Sequence, residues 1–183
     1  MAGMATSISV PTVSVAAPQP PAVPTPVQVS SETFDPGGVL PHSIAFTACG
    51  GENRSPQLTW RNFPPTTKSF ALICFDPDAP TGSGFYHWVV ANIPASLTSL
   101  PENASNGGLP QGVVQGMTDY GVSQYGGPCP PHGDRAHRYR FTIYALDVPA
   151  IAGADPAMTG ARLVFSMRGH LLAEGTLEGR FGM

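Results

Sequence analysis

The stretch HRYRFTIYALD at residues 137–147 sorts its side chains in alternation. His137, Tyr139, Phe141 and Ile143 project to one side, and Arg138, Arg140, Thr142 and Tyr144 to the other. That period of two belongs to an extended strand with one face on a core. Outward from it, KSFALICF at 68–75 and YHWVVANI at 86–93 are short runs of strand-favouring residues. The near-continuous apolar character of the second predicts burial on both faces. SPQLTW at 55–60 and HSIAFTACG at 42–50 read as further strands, with GGENRS and NFPPTT as turn chemistry between them. DPAMTGARLVFSMRGHLLAEG at 155–175 changes period, because Leu163, Met167 and Leu171 recur at i, i+4 and i+8. Asp155 or Thr159 would cap that helix, and Pro156 suits its first turn. A last short strand, GTLEGRF, closes the chain. The pattern predicts an all-β dominated fold, an antiparallel β-sandwich with a C-terminal helix.

Composition narrows the function classes. A chain of 183 residues fits one domain with a full core. Its 42% apolar content is ordinary, whereas 11% charged residues is low, and Lys68 is the single lysine. A formal charge of -3 with no Lys/Arg cluster argues against nucleic acid and against an anionic membrane surface. The 21 Gly and 21 Pro point to many turns. Cys49, Cys74 and Cys129 form no CxxC pair, which disfavours zinc. Their odd count fits free thiols in a reducing, cytoplasmic setting, although a Cys49–Cys129 bridge is compatible with the sequence.

Residues 1–31 carry no charged residue and are rich in Pro, Ala, Val and Thr. We read them as an extended N-terminal arm ahead of a domain over 32–183. Prolines interrupt the apolar run that a secretory signal needs, and no run is long enough for a transmembrane segment. Residues 94–128 form a long loop region of the kind that shapes a site.

Two constellations carry chemistry. In DPDAPTGSGFYHWVV at 76–90, Asp76 and Asp78 flank Pro77, Pro80 follows, and His87 opens a strand. Two carboxylates and an imidazole could hold a metal or run a hydrolysis. Equally, the aspartates could accept backbone N–H groups and fix the turn. In YGGPCPPHGDRAHRY at 125–139, Gly126 and Gly127 would leave backbone amides free beside His137 and Tyr139, a seat for a small anion. A Pro-rich turn before a half-buried strand is the alternative. No GxSxG is present, and a Cys129–His132 pair lacks a third orienting group.

In this order, DPDAP, His87-Trp88, GPCPPHG and HRYRFTIYAL resemble the phosphatidylethanolamine-binding protein family, also called Raf kinase inhibitor protein-like. GGENRSPQLTW and GHLLAEGTLEG resemble its bacterial branch, and the likeness runs from about Phe34 to the C-terminus. The resemblance implies one small-anion pocket for phosphate, an acetate-like ion or a phospholipid headgroup. Its ligand-binding residues would be Asp76, Asp78, Pro80, His87, Gly127, Pro128, His137 and Tyr139, with a cis Ala79–Pro80 bond. It further implies inhibition of a kinase or protease partner. Tyr86 stands where animal relatives carry another histidine.

The expected function is therefore a non-enzymatic anion-binding or regulatory protein, with no catalytic residue, metal or cofactor. A hydrolase using Asp76 with His87 or His137 is the second reading. A structural homodimer built through the arm, with a vestigial pocket, is the third.

Overall fold

The computed structural model describes residues 26–183. Eight strands and one helix follow in order: β1 Gln28–Ser30, β2 Leu58–Arg61, β3 Ser69–Asp76, β4 Phe85–Pro94, β5 Ser99–Leu100, β6 Val114–Gln115, β7 His137–Leu146, α1 Gly160–Ser166 and β8 Leu171–Phe181. They make two antiparallel sheets, β1-β2-β5 and β6-β4-β3-β7-β8.

The β7 alternation is realised. Tyr139, Phe141 and Ile143 are fully buried between the sheets, together with Trp60, Phe70, Leu72 and Trp88. β3 and β4 are buried on both faces because a second apolar layer covers the back of the large sheet. There Ala71, Ile73, Val89 and Ala91 pack with Leu163 and Met167 of the α1 region. This is the burial that a near-continuous apolar strand requires. Aromatic rings pin the interior, with Trp60 and Phe63 both edge-on to Phe70.

Five expectations change. The arm's residues 1–25 lie outside the described residues, but residues 28–30 form β1 and pair with β2, so the sheet begins inside the stretch assigned to the arm. HSIAFTACG is not a strand: it forms two 3-10 turns, His42–Ile44 and Thr47–Cys49. The helix is capped by Thr159, whose Oγ1 accepts from Arg162 N, but it ends at Ser166. Gly169 at φ +85° turns the chain, and Leu171 starts β8 instead of extending the apolar stripe. The last strand is accordingly 11 residues long and begins four residues ahead of the GTLEGRF segment. Among the described residues no peptide bond is cis, so Ala79–Pro80 is trans. Left-handed Gly82 and Gly84 make the turn between β3 and β4.

The cysteines also differ from the free-thiol reading. Cys49 and Cys129 form a disulfide with Cα atoms 5.5 Å apart, while Cys74 is free and buried in β3. No helix of the described residues is long and apolar enough to cross a membrane.

Candidate functional site

A cavity of about 270 Å³ opens at the end of the sandwich where β3, β4 and β7 meet the loops before β2 and β7. Its floor is polar and its walls are aromatic and prolyl. Asp76, Pro80, His87, His137 and Tyr139 line it, so five of the eight expected residues converge.

A β-bulge aims His87. Cys74 pairs with Trp88 and Phe75 with Tyr86, leaving His87 as the extra residue of β4. Strict alternation would put His87 and Trp88 on opposite faces. The bulge lets both face the inside of the sandwich and sends Tyr86 to the α1 side. The His87 ring lies edge-on to Tyr139 at 5.1 Å and to Tyr120 at 5.6 Å. Its Nδ1 is 2.7 Å from the Gly126 carbonyl, which can only accept. Nδ1 therefore carries the proton, and Nε2 keeps a lone pair. Burial lowers the His87 pKa, which holds the ring neutral at pH 7.

Asp76 is buried and accepts twice, from Asp78 N at 2.8 Å and from His137 Nδ1 at 2.8 Å. The other nitrogen of His137 is 3.3 Å from Asp134 Oδ2. Both contacts are to carboxylate oxygens, so each nitrogen of the His137 ring faces an acceptor. Tyr139 is fully buried, and its hydroxyl has no hydrogen-bond partner among the described residues. The Cys129 backbone lies close enough to act on it without completing a bond of normal geometry. Burial and the nearby Asp76 charge push the Tyr139 pKa upward, so the phenol stays a donor.

Three expected residues do other work. The Asp78 side chain is 3% exposed but does not line the cavity. It accepts from Arg138 N, Nε and Nη2 and from Arg135 Nη2, and so ties the DPDAP turn to β7. Gly127 and Pro128 stand behind the wall. The amides expected to be free are taken: Gly126 N donates to the His87 carbonyl and Gly127 N to Asn53 Oδ1 at 2.7 Å. The Pro128 carbonyl accepts from Phe46 N. Gly127 is required because a Cβ there would run into the Ile44 carbonyl.

Sequence reasoning missed Phe46 and Tyr120, which stack at 4.3 Å and form one wall, and Phe85, which packs on Tyr120 at 4.8 Å. Only the unusual length of the 94–128 loop pointed toward Tyr120.

The family model described as phosphatidylethanolamine-binding protein matches residues 30–182. The chain belongs to the phosphatidylethanolamine-binding protein family. Within that family it is 43% identical over 157 residues to the UPF0098 protein YbhB of Escherichia coli strain K12, covering 84% of this chain and 98% of that one. It is 44% identical over 151 residues to UPF0098 protein YbcL of the same strain, covering 80% of this chain and 82% of that one. The crystal structure of E. coli YbcL superposes with a TM-score of 0.83 at 41% identity, covering 87% of this chain and 99% of the other. A putative phosphatidylethanolamine-binding protein homolog, CT736 of Chlamydia trachomatis, gives a TM-score of 0.74 at 33% identity, covering 86% and 98%.

One consequence of this family member's ion pairs is a pH dependence. The Arg138 hydrogen bonds and the charges of Arg138 and Arg135 hold the Asp78 carboxyl well below its usual value of 3.8. A depressed folded-state pKa gives stability that is complete above the unfolded value and is lost as pH falls through the folded one. Asp78→Asn is therefore expected to lower the melting temperature at neutral pH. The gap to wild type should shrink on acidification below about pH 4, as followed by thermal unfolding across that range.

Proposed function

We propose that the protein is a non-enzymatic binding protein for a small oxyanion, inorganic phosphate or a phosphorylated headgroup. The observation carrying this reading is the Tyr139 hydroxyl, buried without a hydrogen-bond partner among the described residues, on a side chain that lines the cavity. A buried donor left unmade costs about 1–3 kcal/mol, and a ligand oxygen would remove that cost. His137 adds a second donor nitrogen whose bond to Asp134 is long enough to yield to a ligand.

The nucleophile inventory supports binding over turnover. The two lining side chains with a hydroxyl or sulfur nucleophile outside the phenols are both occupied. Thr81 donates to the Gly84 carbonyl and Cys129 is disulfide-bonded. The same disulfide favours an oxidising compartment over the cytoplasmic location read from the cysteine count.

Calorimetric titration with inorganic phosphate and with phosphoethanolamine tests the reading. Wild type is expected to bind at least one of them, and His137→Ala to bind about tenfold or more weakly. Absence of binding to wild type, or equal binding by the variant, would contradict it.

A further inference from the structure

The cavity is an odd seat for a fully ionised anion. Its described lining contains no Lys or Arg, and residues 1–25 contain neither residue type. Arg135 and Arg138 are drawn onto Asp78, and the Gly126 and Gly127 amides are engaged elsewhere. His137, the remaining cationic candidate, lies between the carboxylates of Asp76 and Asp134.

Two floor groups are acceptors. His87 Nε2 has a bare lone pair because Nδ1 must donate to the Gly126 carbonyl, and no hydrogen bond among the described residues reaches Nε2. Asp76 offers further lone pairs beyond the two donors it already meets. Beside them stands the Tyr139 hydroxyl, able to donate. Of the two buried, unpartnered polar side-chain atoms among the described residues, it is the one that belongs to a residue lining the cavity. A ligand made of acceptors alone would set lone pairs against lone pairs at His87 and Asp76. A ligand keeping one acidic proton donates it to His87 Nε2 and accepts from Tyr139 through a neighbouring oxygen.

We propose that this pocket selects oxyacids that retain a proton, such as the monoanion of phosphate, a phosphate monoester or a phosphonate, and rejects proton-free anions of the same shape and charge. Sulfonates and sulfate esters fall in the rejected class. This selectivity rests on the anion-binding reading above and sharpens it. His87 is the specificity-determining residue, and the bulge that frees it to face inward is the backbone device behind the choice. The discrimination is large because a site built around a ligand proton leaves its own acceptor unpaired when that proton is missing.

The full chain is titrated calorimetrically with methylphosphonate and with methanesulfonate in mildly acidic buffer, where each carries one charge. The two ligands have the same shape and differ in the acidic proton. Methylphosphonate is expected to bind about tenfold or more tightly. Equal affinities would overturn the selectivity while leaving the anion reading intact; binding of neither, nor of inorganic phosphate, would overturn both. His87→Gln replaces the ring acceptor with an amide that can donate, and the affinity ratio should fall toward one. An unchanged ratio in folded His87→Gln would remove His87 from the account. Should that variant fail to fold, the wild-type comparison still decides. Parallel arms with inorganic phosphate and phosphoethanolamine separate the sources. Tighter binding of phosphoethanolamine points to a lipid headgroup and equal binding to free phosphate, and both support the proposal.

Discussion

Cys129→Ser is expected to destabilise the protein by about 4 kcal/mol and to lower its melting temperature by about 10 °C. The bond joins residues 80 apart in sequence, and opening so long a loop releases chain entropy in the unfolded state. The folded state should change little, because the two loops are also joined without the bond. Asn53 Nδ2 donates to the Tyr125 carbonyl, Phe46 N to the Pro128 carbonyl and Tyr125 Oη to the Ile44 carbonyl. The loss therefore acts chiefly on the unfolded chain. Reduction of wild type with a dithiol should reproduce the drop, and reduction of Cys129→Ser should have no further effect. Identical melting temperatures for oxidised and reduced wild type would contradict the assignment.

The second large effect is on binding. Tyr139→Phe removes a hydroxyl that has no partner among the described residues, so the unliganded protein should melt at the same temperature as wild type or slightly above it. Phosphate binding should nevertheless fall by about tenfold to a hundredfold, the range of one hydrogen bond to a charged group. A structural role for the hydroxyl would give the opposite pattern, with stability lost and affinity kept. Melting curves paired with calorimetry on the same samples separate the two.

The parts of the fold legible in the sequence are those set by local periodicity. β7 alternates cleanly, and β4 reads as doubly buried because its sequence is apolar on both parities. The parts that misread depend on distant partners. HSIAFTACG has the composition of a strand, but its groups bond to a loop about eighty residues away instead of to a ladder: Phe46 N to Pro128 and the Ile44 carbonyl to Tyr125. The Gly126 and Gly127 amides look free in sequence because His87 and Asn53, which occupy them, lie 39 and 74 residues upstream. Asp76 and Asp78 look equivalent in DPDAP. They are split by the strand end, which turns Asp76 inward to His137 and Asp78 outward to the arginines. The bulge at His87 has no sequence signature, since it exists only in the pairing of β4 with β3.

The central claim is that the cavity holds an oxyanion against His87, His137 and Tyr139. Heteronuclear NMR of the histidine rings during titration with inorganic phosphate tests it most directly. The account predicts saturable shifts at His87 and His137, with His170, paired to Asp147 at the opposite end of β7, unmoved. Phosphate that leaves His87 and His137 unshifted, or moves His170 equally, would contradict it.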